Sequence, residues 1–274
     1  MLFADIAMAR RIESAECRLS SDIANAFKAR GRDAFTRPVA GGAAVFTGSG
    51  TPFNKLIGAG FGEALLASDL EAAECAFADR GSPLRAEVST LADPEVVSTL
   101  SRRGYVLIGF EDVLGARLDD VDVPDVTGVD VAIADARASR DWIDTIVTGF
   151  MTPDTQGIAS TETFPRDVIE PLFDDMLDIA GYHHFTAHIG TTMAGAGSMR
   201  IDDGLAQLAG AATRPECRRR GVQTALLGTR LRWAAAQGCD LAVVTTQPGS
   251  KSQENALRRG FERLYTRAVL VKTP

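Results

Sequence analysis

The chain has 274 residues, 45% of them hydrophobic and 24% charged, and carries a net charge of −7 at neutral pH. That is length for two ordinary domains and apolar material for real cores, on a net negative surface not built to attract nucleic acid or an anionic membrane. No apolar run approaches the roughly 18 residues of a membrane span, and the N-terminus lacks a basic start followed by an apolar stretch. The four scattered cysteines, Cys17, Cys75, Cys217 and Cys239, show no C-x-x-C spacing and read as buried free thiols of a reducing compartment, so a cytoplasmic protein is expected.

Early in the chain, Gly48-Ser49-Gly50-Thr51-Pro52-Phe53-Asn54-Lys55 mimics a phosphate loop but lacks the G-x-x-x-x-G-K-[S/T] spacing, and Ser49 has no G-x-S-x-G context. Further on, Gly60 is followed by Ala64-Leu65-Leu66. Then comes Leu84-Arg85-Ala86-Glu87-Val88-Ser89-Thr90, and after it Arg102-Arg103-Gly104-Tyr105 with Val113-Leu114. The stretch from Leu118 to Asp130, LDDVDVPDVTGVD, holds five aspartates, a proline and a glycine without helical period. It reads as an exposed linker. Domains are therefore expected at 1–118 and 131–274, joined by 119–130.

The second half continues with helices over Asp141 to Thr148 and within Phe164 to Ile179. Phe185 to Ile189 reads as a strand ending at Gly190, and Ala194 to Ile201 as a second. Asp202-Asp203-Gly204 supplies the D-G signal of a hairpin turn, and Leu205 to Thr213 a third strand. That strand is built of small residues (Ala206, Ala209, Gly210, Ala211, Ala212), which allows something to approach its backbone closely. Val222 to Gln237 has apolar positions at helical spacing and a stop at Gly238. Leu241 to Thr245 reads as a buried strand, Gln253 to Arg259 as a short helix and Tyr265 to Lys272 as a final strand. The order implies a mixed α/β fold.

The two halves resemble one another. Arg102-Arg103-Gly104-Tyr105 and Val113-Leu114 match Arg258-Arg259-Gly260-Phe261 and Val269-Leu270 at an offset of 156. At the same offset Leu84 to Thr90 lies over Asp240 to Thr246. Gly60 with Ala64 to Leu66 lies over Gly221 with Ala225 to Leu227 at an offset of 161. An ordered set of matches with one length change is the pattern of an internal duplication.

One segment of this acidic chain is strongly basic. Arg214, Arg218, Arg219 and Arg220 precede a helix, opposed by Glu216, and the turn opens at Gly221. A helix start offers free N–H groups and partial positive charge. Adjacent arginines make it a receptor for phosphate or pyrophosphate, and Gly221 lets the backbone approach the oxygens. His183, His184 and His188 suggest metal spacing, but on a strand His183 points away from the other two, and no metal is expected.

The segment Arg218-Arg219-Arg220-Gly221-Val222-Gln223 resembles the acyl-CoA motif Q/R-x-x-G-x-G/A of the GNAT acetyltransferases, with Gln223 in place of the small residue. Gly249 to Asn255 and Arg259-Gly260-Phe261 resemble that family's later motif, and the resemblance covers roughly Ala132 to Val271. It implies two tandem GNAT-like α/β domains, each a mostly antiparallel sheet flanked by helices, the first a degenerate copy. It also implies acetyl-CoA or another acyl-CoA as co-substrate, and an amine of a small molecule or peptide as acceptor. The pantetheine arm would bond the backbone at Ala211, Ala212 and Thr213. The pyrophosphate would sit on Arg218, Arg219, Arg220, Gly221, Val222, Gln223 and Thr224, and Asn255 would touch the arm. The family's usual acid is a tyrosine on the later helix, where this chain has Ala256 and Leu257. Tyr265 is the candidate in its place. Candidates for the base are Glu216, a residue of the first half, or water. In the first half the repeat sets Ile57-Gly58-Ala59 against the arginines, so that copy is expected not to bind CoA and to shape the acceptor pocket, with Phe53, Asn54 and Lys55 as wall residues. The motifs also fit a non-catalytic CoA-binding regulatory module.

Overall fold

The computed structural model describes residues 2–119, 123–135, 138–153, 158 and 164–273. Residues 120–122 of the expected linker lie outside this set. The chain forms two compact units, one of Phe3–Val113 with Arg263–Pro274, the other of Leu114–Glu262. Among the described residues no helix is long and apolar enough to cross a membrane.

The first unit opens with α1 (Ile6–Ala29), capped by the Asp5 carboxylate accepting from Met8 N–H. Strands β1 (Phe35–Val39), β2 (Gly42–Phe46) and β3 (Lys55–Ile57) follow, then α2 (Ala67–Ala78), β4 (Leu84–Ser89), α3 (Pro94–Arg102) and β5 (Val106–Arg117). The sheet order is β1-β2-β3-β4-β11, where β11 (Glu262–Lys272) is the last strand of the chain. The β1-β2, β2-β3 and β4-β11 pairs are antiparallel, and β3-β4 is parallel. On one face Phe46, Leu56, Leu70, Phe77, Ala86, Val88, Leu100 and Leu270 form the apolar core. Phe35, Phe46 and Phe77 pack there at ring separations of 5.4–5.5 Å, the offset and edge-on geometries that aromatic rings favour.

The second unit contains β6 (Asp130–Ile133), α4 (Ser139–Met151), α5 (Arg166–Met176), β7 (Tyr182–Ile189), β8 (Thr192–Asp202), β9 (Leu205–Thr213), a 3-10 turn at Pro215–Cys217, α6 (Val222–Ala236), β10 (Leu241–Thr246) and α7 (Lys251–Leu257). Its order is β10-β9-β8-β7-β6, with the end of β5, from Leu114, completing the sheet beside β10. The β6 to β9 neighbours pair antiparallel, and β9-β10 is parallel. Asp203 and Gly204, at φ 49° and 70°, make the left-handed two-residue turn between β8 and β9 that a right-twisted hairpin requires. Leu114, Phe185, Met199, Leu226, Leu231, Ala242 and Phe261 form the main core under α6.

Three expectations need correction. The boundary at 119–130 assigned the last strand to the second domain, whereas β11 from Arg263 on belongs to the first unit and Leu114 to Leu118 to the second. β4 takes its antiparallel partner from the end of the chain, a long-range pairing that local sequence pattern does not encode. The match at offset 161 also shifts. Ala67 opens α2 where Val222 opens α6, and Ile57 closes β3 where Thr213 closes β9, so the offset stays at 155–156. The counterpart of the arginine segment is therefore 58–66 rather than Ile57-Gly58-Ala59. Finally, Cys217 and Cys239 are buried but Cys75 is exposed, all as free thiols.

Candidate functional site

β9 and β10 start side by side and then part. Their parallel pairing covers Leu241↔Leu205, Ala242↔Ala206 and Val243↔Gln207, and stops there, although β9 runs to Thr213 and β10 to Thr246. The rest of β9 carries an irregularity against β8: Gly197 pairs with Ala211 and Ser198 with Ala209, so Gly210 is left over as a bulge. Gly210 has φ 39°, a conformation glycine adopts without penalty. The result is a wedge between two strands, with the bulge near its apex and the backbone from Leu208 to Thr213 outside the β9-β10 ladder.

The open end of the wedge leads into 214–221. Arg219 has φ 61° and Gly221 φ 81°. A left-handed arginine costs about 1–2 kcal/mol, and such turns point successive N–H groups inward as an anion nest. Gly221 is the N-cap of α6 and supplies no side-chain bond to the first turn, which leaves the helix's leading N–H groups for a ligand. A Cβ at Gly221 would come within 2.5 Å of Val126 Cγ1, so only glycine fits there.

The four arginines divide into two kinds. Arg214 is held by α4: its Nε donates to Thr145 Oγ1 at 3.0 Å and its Nη2 pairs with Asp144 at 3.1 Å. Arg218 donates to the Thr152 carbonyl at the end of α4. Arg219 and Arg220 are exposed and make no ion pair among the described residues. Arg214 and Arg218 thus fix the loop, and Arg219 and Arg220 present free charge beside an uncapped helix.

Other sequence-selected residues take these places. Ala211 is exposed, Thr213, Gln223 and Thr224 are half-buried, and Ala212 and Val222 are buried. Ala212 is covered by α4, where a Cβ on Gly149 would lie 2.2 Å from its own Cβ. Asn255 is half-buried on α7, and Glu216 is exposed on the 3-10 turn. The segment 211–224 is thus one continuous structure at the mouth of the wedge.

Tyr265 is not part of it. It lies on β11 in the first unit, 5% exposed, and its hydroxyl donates to Glu13 Oε1 at 2.8 Å. Burial and that carboxylate push its pKa well up, so the phenol is committed to a core hydrogen bond and is a poor proton donor to a thiolate. Asn54 and Lys55 are likewise engaged within the first unit. The Asn54 amide holds the 47–54 loop through Thr47 N–H and Gly48 O, and Lys55 pairs with buried Glu87 at 2.9 Å. The histidines are ring-packed: His183 against Trp233 at 4.3 Å, His184 against Trp142 at 4.5 Å. Burial lowers the His184 pKa to about 4.

Sequence reasoning missed several residues. Arg259 donates to Thr224 Oγ1 at 3.0 Å, tying the end of α7 to the first turn of α6; in sequence the arginine stands out as a repeat match and as part of the later motif, with nothing to mark this bond. Thr246, at the end of β10, is 4% exposed and its hydroxyl has no partner among the described residues. Tyr182, Ser198 and Arg230 surround the bulge, and nothing in their spacing marks them.

A sequence model of the acetyltransferase (GNAT) family matches residues 153–261. No curated protein matches the chain in sequence. Among solved structures, a GCN5-related N-acetyltransferase from Kribbella flavida is similar over 97% of this chain and 95% of its own, with TM-score 0.69 and 18% identity. A tandem GNAT protein from the clavulanic acid biosynthesis pathway covers 86% of this chain and 81% of its own at TM-score 0.59 and 14% identity. A GCN5-related N-acetyltransferase from Sphaerobacter thermophilus covers 85% and 78% at TM-score 0.57 and 12% identity. The match to the GNAT family model thus falls on the unit with the wedge and the arginine nest, and the likeness in fold to these N-acetyltransferases, one of them a tandem GNAT protein, runs through both units.

Proposed function

We propose that the second unit binds an acyl-CoA, with acetyl-CoA as the donor, and transfers the acyl group to an amine of a small molecule or peptide. The observation that carries this reading is the divergence of β9 from β10 directly beside an uncapped helix start flanked by Arg219 and Arg220. A pyrophosphate on the N–H groups of 219–224, with those arginines around it, is the anion such a nest accepts. A flexible amide-bearing arm then has the free backbone of Leu208 to Thr213 to bond, with Asn255 beside it, and its thioester end is directed toward the bulge at Gly210.

The chemistry follows from that placement. The neutral amine nitrogen attacks the thioester carbonyl carbon, a C–N bond forms, and the carbonyl electron pair moves to oxygen. Collapse of the tetrahedral intermediate breaks the C–S bond, and sulfur leaves with the pair. The amine's proton passes to the base and the thiolate takes one up. Glu216 is the carboxylate nearest in sequence to the nest, and solvent in the open wedge is the other acceptor for the proton. Holding the two reactants together and stabilising charge at the carbonyl oxygen account for most of the acceleration such a site supplies.

Calorimetric titration with acetyl-CoA tests the reading. One site per chain is expected, weakened about 100-fold or more in Arg219→Glu/Arg220→Glu. No binding at millimolar ligand in the parent protein overturns it. One observation favours a second reading, a CoA-responsive module without turnover: the only tyrosine near the family's acid position, Tyr265, is bound to Glu13. Release of free CoA on addition of a panel of primary amines separates the two, since a sensor binds and does not turn over.

A further inference from the structure

Arg230 lies in the middle of α6 with 2% exposure. Its Nη1 donates to Ser198 O at 3.0 Å and its Nε to Leu226 O at 3.2 Å. The guanidinium lies against Gly197, its Cζ 3.3 Å and its Nη1 3.4 Å from where a Cβ of that residue would stand. Gly197 and Ser198 are the two residues of β8 that face the bulge, through Ala211 and Ala209. The cation therefore stands one strand behind Gly210, and neighbouring strands are only about 4.8 Å apart.

Among the described residues no carboxylate pairs with Arg230. Tyr182 on β7 is the titratable group that interacts with it, and the Tyr182 hydroxyl is bonded to Ser198 Oγ at 2.8 Å. His183 of β7 packs on Trp233 instead. Gly197 and Ser198 of β8, facing Ala209 and Ala211 of β9, add no charge, and Asp130 of β6 is exposed. Burial lowers the arginine's pKa to about 10, which still leaves it protonated at neutral pH. A buried cation with carbonyl partners and no counter-ion is a costly arrangement, and an apolar residue of similar volume is often as stable or more so. Fold stability alone therefore gives little reason to keep an arginine here.

The same surroundings brace the bulge. The Ser198 hydroxyl donates to Ala209 O at 2.9 Å, and Trp142 Nε1 donates to Gly197 O at 3.1 Å. The Gly197 and Ser198 carbonyls of β8 thus accept from side chains of α4 and α6, and the guanidinium is fixed in place by one of those bonds and by the Leu226 carbonyl of its own helix.

We propose that Arg230 supplies fixed positive potential to the apex of the wedge, stabilising the negative charge that develops on the carbonyl oxygen and the departing sulfur of a thioester held at the bulge. It touches neither reactant and acts through the strand between them, from a buried position where charge is less screened than in water. The inference rests on the acyl-CoA reading above.

The test uses CoA alone and needs no acceptor. The thiol of bound CoA is titrated by its ultraviolet thiolate absorbance in the parent protein, Arg230→Gln, Arg230→Met and Arg230→Lys, with calorimetry establishing that each binds. In the parent the bound thiol is expected to ionise at a pH about a unit or more below that of free CoA. Arg230→Gln, which keeps amide donors for the same carbonyls, and Arg230→Met raise it about a unit; Arg230→Lys stays near the parent. Equal thiol titration in the parent and Arg230→Gln, both binding CoA, overturns the proposal. So does an equal shift in Lys and Gln, because charge is then not the agent. Failure of the parent itself to bind CoA overturns the acyl-CoA reading, and this inference with it.

Discussion

The two units repeat one order of elements and use it differently. In the first, all three residues of β3 are zipped to β4: Lys55↔Arg85, Leu56↔Ala86, Ile57↔Glu87. In the second, three of nine β9 residues pair with β10 and the rest diverge. The first unit turns its charge inward. Glu13, Lys55, Glu87 and Arg267 are all at most 8% exposed, with Arg267 Nε 2.7 Å from Glu13 and Lys55 Nζ 2.9 Å from Glu87. The second keeps Arg219 and Arg220 in solvent. The connection before α2, 58–66, has three glycines and Glu63 where the connection before α6 has four arginines. The two units therefore differ in register and in where the charge goes, rather than in element order. One pair of parallel strands is closed by its ladder, and the other is left ajar beside exposed cations.

Removing one partner of the inward network should give the largest effect. Arg267→Met leaves Glu13 buried with only the Tyr265 hydroxyl, and is expected to cost about 3–5 kcal/mol, read as a fall in the urea midpoint of the first unit. A cost under 1 kcal/mol would mean that the cluster is hydrated, and the contrast between inward and outward charge would fail. Next is the ligand itself. Acetyl-CoA should bind once per chain, and Arg219→Glu/Arg220→Glu should weaken it by about 2.7 kcal/mol or more, the hundredfold loss stated above, while Glu63→Ala in the first unit leaves it unchanged. Two sites per chain would break the comparison outright.

His184 gives a smaller effect confined to the second unit. Its pKa falls to about 4 in the fold, mainly through burial against Trp142 and Tyr182, against an ordinary value near 6.5. Between those values the unfolded chain binds the proton and the folded one does not. Stability is therefore full above about pH 6.5 and declines as pH falls toward 4, by about 2–3 kcal/mol. His184→Phe should remove this slope, measured as unfolding midpoint against pH. An unchanged slope would place the titration elsewhere.

Much of this architecture is legible from sequence, and the exceptions have physical causes. The elements of the second half appear at nearly their expected bounds because their signals are local: the D-G turn at Asp203-Gly204, the stop at Gly238, the helical period of Val222 to Ala236. The nest is legible because arginines before a helix have few other local explanations. The origin of β4's partner strand is not, since β11 is more than 170 positions away and both strands carry the same alternation. Nor does sequence distinguish Arg214 and Arg218, which brace α4, from Arg219 and Arg220, which stand in solvent. Tyr265 looked available as an acid because its partner, Glu13, lies at the other end of the chain. Arg230 sits on the buried side of a helix whose pattern simply tolerates it.

Gly221 offers the finest test of the outward arrangement. Its φ of 81° and the 2.5 Å approach of Val126 Cγ1 to a built Cβ both oppose a side chain. Gly221→Ala is therefore expected to cost about 1–2 kcal/mol, from left-handed strain and displacement of one methyl. The strain falls on the cap that presents the α6 N–H groups, so acetyl-CoA affinity should drop about tenfold, while Gly104→Ala, also left-handed at φ 86° but in open space at the end of α3, should cost similar or less stability and leave affinity alone. If Gly221→Ala loses stability without affinity, the pyrophosphate does not rest on these N–H groups. The exposed arginines would then hold it by charge alone, and the binding should weaken steeply with added salt.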